Sequence, residues 1–321
     1  KMALSVKIKK IDTIKNWDVL VRNSHCGTLF QEQWYLKARN VSDILCVFQK
    51  DKIVAALVLY DSNENKLEQS TIKIPYGGPI FFLPEKIDYR RRIILERNLN
   101  ELIIEFLINK FEKIDFSVDT DFDDIIPYIR NGFSIEYRFT YTIILDQSVN
   151  ELKKFWGSDR KKDLIIAKRN NLILKIYNHA KNFDIINSLY WEEESNKENS
   201  YLEVKAIIDT ALKINRGKIF VAYLEDKIVA AVFVAWDHRK SYILYSYYDR
   251  NYDVGAICFL YYNIFRYTQD ELKLLYVDLE GSVLKGIEDF DISFSARQVK
   301  YFNLHWSKNG DCRFVDYYNY E

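Results

Sequence analysis

Two carboxylates stand at the end of a short apolar run late in the chain. Leu274–Leu279 reads as a strand, Asp278 lies within it, and Glu280, Gly281 and Ser282 follow. Strand ends that open into Gly-Ser turns are where α/β proteins hold ligands. A carboxylate with a raised pKa can free an amine from its ammonium form by taking a proton. Glu280 or Asp278 is therefore a candidate base. The plain alternative is a turn carboxylate capping a helix that starts near Lys285.

Further residues bear chemistry elsewhere. Arg160, Lys161, Lys162, Lys168 and Arg169 fall on one expected helix, with Lys153 and Lys154 before it. Such a cluster can hold phosphates, of a tRNA backbone, a nucleotide sugar or coenzyme A, or it can be a solvated helix face. Tyr76, Gly77, Gly78 and Pro79 form a rigid turn in which glycine permits close approach to the backbone. Trp34 and Tyr35 can line a substrate cleft or a core, and Tyr301 in the last strand is a further candidate. "GSVLKGI" (Gly281–Ile287) has the glycine spacing of a phosphate loop but lacks the closing Lys-Ser/Thr. The four histidines show no metal spacing, so no metal site is expected.

Composition bounds these readings. Lys+Arg 46 balances Asp+Glu 46, which argues against a dedicated duplex-DNA binder. Hydrophobic residues at 48% and charged residues at 29% give a globular balance, and the length suits two domains. Four scattered cysteines suggest a reducing compartment. The opening stretch alternates apolar and charged residues and is not read as a leader. Apolar runs such as Ile228–Trp236 fall far short of the ~20 residues of a membrane helix. A cytoplasmic protein without a membrane span is expected.

The elements that must position these residues come in two similar sets. Asp51–Ala56 and Asp226–Ala231 are the same six residues, DKIVAA. Each copy reads as a turn feeding a buried strand, and each is preceded by a strand, Ile44–Gln49 and Lys218–Leu224. After each comes another strand, then an amphipathic helix, Tyr89–Phe111 and Ala256–Glu271. A short strand follows (Ile114–Val118, Leu274–Leu279), then a small helix (Ile125–Asn131, Gly286–Phe294) and a closing strand. The second half opens with helices over Val149–Asn170, Asn182–Asn196 and Tyr201–Ile214. The pattern predicts an α/β (α+β) chain. Each half is a mixed, mostly antiparallel sheet flanked by helices. The break near Asp146–Asn150 sets domains at 1–146 and 147–321, the last residues being free to fold back on the first.

Four stretches in this order resemble the duplicated-GNAT group that contains the Fem-type peptidyltransferases. They are "TLFQEQWYLKA" (Thr28–Ala38), "IPYGGPIFF" (Ile74–Phe82), "WGSDRKKDLIIAKRNNL" (Trp156–Leu172) and "VDLEGSVLKGIEDFDISFSA" (Val277–Ala296). The resemblance implies two tandem GNAT-like domains and an acyl- or aminoacyltransferase that acts on an amine of a sugar, peptide or cell-envelope precursor. It implies acyl-CoA or aminoacyl-tRNA as donor and no tightly bound cofactor. It favours Arg160 and Lys161 among the cations, with Trp34, Tyr76, Gly77, Gly78, Ser282 and Tyr301 as further substrate contacts. The strand carrying Tyr245, Tyr247 and Tyr248 splays in this fold to admit the donor, and Tyr247 is the candidate to protonate the leaving group.

Two departures matter. Fem-type proteins carry a basic residue inside a Phe-x-x-x-Phe-Gly segment, where this chain has Asp291, Ile292 and Ser293, with Ser295 for the glycine. The coenzyme A pyrophosphate loop of acetyltransferases corresponds here to "RNYDVGAIC", leaving Gly255 and Ala256 as the cofactor contacts and Asp253 beside them. These departures motivate the alternative of a catalytically inactive double-GNAT protein that binds a ligand or partner.

Overall fold

The computed structural model describes residues 4–60, 62–63, 65–68, 75–84, 86–179, 198–281 and 285–310. They form two compact units, one from the residues up to Arg138 together with those from Lys300, the other from Phe139–Val299.

The first unit runs β1 (Leu4–Lys10), α1 (Trp17–Asn23), α2 (Gln33–Ala38), β2 (Asp43–Gln49), β3 (Lys52–Val58), β4 (Lys66–Glu68), β5 (Ile80–Phe81), α3 (Tyr89–Lys110), β6 (Lys113–Ser117), α4 (Ile126–Arg130) and the start of β7 (Ser134–Ile144). Strands β1-β2-β3-β5 pair antiparallel throughout. The expected long helix is α3, opened by Asp88, whose side chain accepts from the Arg91 N–H at 3.0 Å.

The second unit continues with α5 (Val149–Leu152), α6 (Ser158–Arg169), β8 (Ile173–Tyr177), α7 (Glu198–Lys213), β9 (Gly217–Leu224), β10 (Lys227–Trp236), β11 (Lys240–Tyr248), α8 (Ala256–Asp270), β12 (Tyr276–Asp278), α9 (Lys285–Ser293) and the start of β13 (Arg297–Ser307). Its strands lie in the order β7-β12-β11-β10-β9-β8. They are antiparallel except for the β11–β12 pair, which α8 connects. The helix expected over Val149–Asn170 is broken: Trp156 turns inward, 3% exposed, edge-on to Phe294 at 4.9 Å, and α6 starts after Gly157. The helix expected over Asn182–Asn196 lies outside the described residues.

The repeated hexapeptide folds the same way twice. Both hairpins turn through two residues, the first left-handed: Lys50 at φ 56° and Glu225 at φ 53°. Both then carry one unpaired extra residue at the same offset, Val54 and Val229. A bulge is a specific feature, because it re-aims every later side chain on its strand. Its recurrence makes the two sheets copies of one design. Among the described residues no helix is long and apolar enough to cross a membrane.

In the first unit, β13 is tied to β6 and to the start of β7 by a polar network. His305 Nδ1 lies 2.9 Å from Asp115 Oδ2, and its Nε2 lies 3.2 Å from Glu136 Oε2. Arg138 donates to the same Glu136 oxygen at 3.1 Å, and Asn303 donates to Asp115 at 2.8 Å. Burial alone would lower the His305 pKa, but the two carboxylates outweigh it and raise it. A raised histidine stabilises the fold fully below its unfolded value, ~6.5, and loses that contribution as pH rises through the folded value. His305→Gln should therefore cost roughly 1–3 kcal/mol at pH 6. The cost should shrink as pH is raised above neutral in urea titrations. A cost independent of pH would remove the charge from the explanation.

Candidate active site

Strand β12 pairs with β11 at three positions, Lys240↔Tyr276, Ser241↔Val277 and Tyr242↔Asp278. There the two part. Strand β11 runs on beside β10 as far as Tyr248, opposite Ala230. The chain after Asp278 follows β7 instead: Leu279 N–H donates to the Tyr141 carbonyl at 2.8 Å and Gly281 N–H to Thr140 Oγ1 at 3.2 Å. The opening is thus framed by Ile243–Tyr248 on one side and Leu279–Gly281 on the other.

Asp278 anchors this opening. It is fully buried, accepts from Thr140 Oγ1 at 2.5 Å and from the Glu280 N–H at 3.0 Å, and has Lys240 Nζ 3.8 Å from its other oxygen. The bond to its own chain two residues on makes an Asx-type turn and puts Glu280 in the left-handed region at φ 53°. Gly281 is glycine for lack of room: a Cβ there would lie 2.7 Å from the Phe139 carbonyl oxygen and from Thr140 Cα.

Glu280 retains partial exposure, yet its Oε1 is enclosed and has no hydrogen-bond partner among the described residues. Burial, and next the charge of Asp278, hold its carboxyl well above the usual range. Asp291, on α9, is 2% exposed, and its Oδ2 likewise has no partner. Burial, with Asp278 second, pushes it up to about 7. The neighbouring wall is aromatic. Tyr261 of α8 lies 5.4 Å from both Phe290 and Phe294, and its hydroxyl is 3.3 Å from Ser246 Oγ. Burial raises the Tyr261 pKa, and Asp291 and Glu280 both add to the shift.

The structure brings Asp278 and Glu280 together and adds Asp291, which the sequence presented only as a missing cation. The Asp-for-basic exchange was itself a visible signal. Ser282 lies outside the described residues. Tyr247 is one residue beyond Ser246 on β11, so its side chain leaves the opposite face of the sheet from the one Tyr261 covers. Arg160 is drawn inward: its guanidinium lies 4.8 Å from the Phe290 ring centre and 3.1 Å from Asp163. Lys161 stays exposed and donates to the Lys154 carbonyl at 2.7 Å.

Gly255 caps α8 at φ 67°, and Ala256 is buried behind it. A Cβ on Gly255 would lie 2.2 Å from the Asp163 carbonyl oxygen, so α6 closes against the start of α8. Burial raises the Asp163 pKa, Arg160 opposes this, and Asp253 adds to it. Two carboxylates therefore stand where a diphosphate would need positive potential.

The remaining candidates belong to the first unit. Trp34 is 7% exposed and donates to the buried Glu32 at 2.8 Å. Tyr76 is buried edge-on to Tyr301 at 5.2 Å and to Phe30 at 6.0 Å. Gly77 N–H bonds the Ser117 carbonyl at 3.0 Å. Gly78 meets Val118, whose Cγ1 would lie 2.6 Å from an added Cβ. These five form packing in that unit, and the glycines serve close approach of strands.

No protein-family model and no curated protein matches the sequence. Solved structures match the fold. FemX superposes over 92% of this chain and 96% of its own, with TM-score 0.65 and 12% identity. A tandem GNAT protein from the clavulanic acid biosynthesis pathway matches over 95% and 98%, with TM-score 0.54 and 10% identity. The C-terminal domain of a putative lysylphosphatidylglycerol synthetase from Agrobacterium fabrum matches over 78% and 81%, with TM-score 0.53 and 11% identity.

Proposed function

We propose that this chain, whose fold is the duplicated GNAT type of Fem-like proteins, is an N-acyltransferase working at the opening between β11 and β12. One observation carries the reading. Glu280, where the two strands part, and Asp291, buried on α9, each keep an enclosed oxygen without a partner among the described residues. Partnerless buried oxygens are costly unless a ligand uses them.

On this reading the acceptor enters as an ammonium. Asp291, at about 7, takes its proton near neutral pH. The freed amine attacks the donor's carbonyl, and a C–N bond forms. Glu280, still protonated, donates a hydrogen bond to the carbonyl oxygen as negative charge gathers there. As the C–O or C–S bond to the leaving group breaks, Glu280 passes it the proton. The nitrogen, cationic after the attack, gives its second proton to the Glu280 carboxylate, and Asp291 releases the first to solvent, so both groups return to their starting states. Asp278 is a positioning residue, and no covalent enzyme intermediate forms.

The donor is an activated acyl group, and the carboxylates at the start of α8 favour aminoacyl-tRNA over acyl-CoA. The acceptor is an amine of a sugar, peptide or cell-envelope precursor, a class consistent with the FemX and lysylphosphatidylglycerol synthetase likenesses. The setting is the cytoplasm.

The test is to incubate the chain with labelled acetyl-CoA or charged tRNA and amino-sugar or precursor-peptide acceptors, and to follow amide product by mass spectrometry. Product that depends on donor and chain supports the reading. Binding of a donor or UDP-sugar without product from any pair would move the chain to the inactive ligand-binding class.

A further inference from the structure

We propose that the outer face of α6 docks the protein reversibly on an anionic lipid surface. Successive helical residues are ~100° apart, so Lys161, Lys162, Ile165, Lys168 and Arg169 share an arc of about 120°. All five are exposed. Ile165 lies at the centre of the arc, 53% exposed, with two cations on either flank. Phe155, 68% exposed, lies in the turn just before the helix, and the Lys161 bond to the Lys154 carbonyl ties that turn to the face.

Both acids of the helix lie outside that arc: Asp163 pairs with Arg160 on the inner side, and Asp159 is exposed one turn before Lys162, about 60° beyond it. Lys162, Lys168 and Arg169 form no ion pair among the described residues. In a chain of zero net charge this concentrates positive potential at one place.

Charge complementarity calls for an anionic partner, and the apolar residues decide which one. A phosphodiester backbone gives an isoleucine nothing to bury against. Single-strand binding proteins add aromatic stacking platforms along a groove instead. A lipid interface uses both kinds of side chain. Headgroup phosphates meet the lysines on their flexible stems, and the Ile165 and Phe155 side chains enter the acyl boundary. Two apolar side chains are a small anchor, so attachment is weak and salt-sensitive. The inference holds whether or not the chain transfers acyl groups.

Sedimentation of the full chain with vesicles tests it. Mixed phosphatidylcholine–phosphatidylglycerol vesicles should carry the protein down at low salt, phosphatidylcholine alone should not, and high salt should release it. Lys162→Glu with Lys168→Glu should weaken binding at least about tenfold. Ile165→Ser should weaken it severalfold without changing retention on heparin. These positions are solvent-exposed, and an unchanged melting temperature checks that the variants fold. Failure to sediment with the anionic vesicles would overturn the proposal. So would sedimentation that Ile165→Ser leaves untouched and that uncharged tRNA competes away, which would make the partner a nucleic acid.

Discussion

Asp291→Asn is expected to make the second unit more stable above neutral pH and, with Glu280→Gln, to slow acyl transfer by a factor of 10² or more. The stability half follows from linkage. In the unfolded chain Asp291 ionises near 3.8, and in the fold near 7. Below both values the residue is protonated in either state and costs nothing. Between them the unfolded state sheds a proton that the fold retains, so stability falls as pH rises. Above the folded value the full cost is present, on the order of 4 kcal/mol at 1.36 kcal/mol per pKa unit. An asparagine has no charge to lose, so urea titrations should show little difference at pH 4 and a clear gain at pH 8. The kinetic half follows from the same chemistry, since general acid–base groups contribute typically 10²–10⁴-fold. Glu280→Gln keeps the shape and an N–H donor but has no proton to hand over. A variant that is both sturdier and slower marks a carboxylate kept for chemistry at the fold's expense. Equal rates would take both groups out of the mechanism, and a less stable Asn variant at pH 8 would show that Asp291 is ionised and held by a partner.

How far the sequence shows this site depends on the distance over which each feature is encoded. The hairpins are local. DKIVAA needs only its own turn and strand, and both copies adopt the same left-handed residue and the same bulged valine. The long helices are local as well, because a 3.6-residue period over many turns is hard to mistake. They end within one residue of the expected limits, at Lys110 and Asp270. Asp278 and Glu280 were visible as a strand end, but the partner that orients them, Thr140, is 138 residues away. The role of Asp291 was hidden for a similar reason. In the sequence it stands only as an acid where a basic residue is expected, and its burial on α9, 2% exposed, depends on the packing of that helix. Arg160 is the converse case. It belongs to a basic run, yet it falls on the inner side of α6, outside the arc that holds Lys161 and Lys162. Glycines are the least legible, since a residue that tolerates a ligand's approach and one that tolerates a strand's approach are the same letter.

Gly255 shows what separates those two meanings. If it were kept for a diphosphate, Gly255→Ala would weaken acyl-CoA binding and leave folding nearly unchanged. The geometry gives the opposite expectation. An alanine at φ 67° enters the left-handed region, and its Cβ would lie 2.2 Å from the Asp163 carbonyl oxygen. The obstacle is backbone, so no rotamer relieves it, and truncating the Asp163 side chain would not help. Helix α6 or the start of α8 must move. That would disturb the contact by which Cys258 Sγ meets the Arg160 carbonyl at 3.3 Å, and Cys258 and Ala256 lie in the main core of the second unit. Left-handed strain and overpacking together should cost roughly 2–6 kcal/mol, read as a lowered urea midpoint. Gly286→Ala is the matched control. It lies inside α9 with nothing within 4 Å of an added Cβ, and helix propensity alone should make it neutral or stabilising by up to about 1 kcal/mol. If Gly255→Ala unfolds no sooner than Gly286→Ala, the two helices do not close on each other as described. The start of α8 would then be free to receive a phosphate, and acyl-CoA would return as the favoured donor.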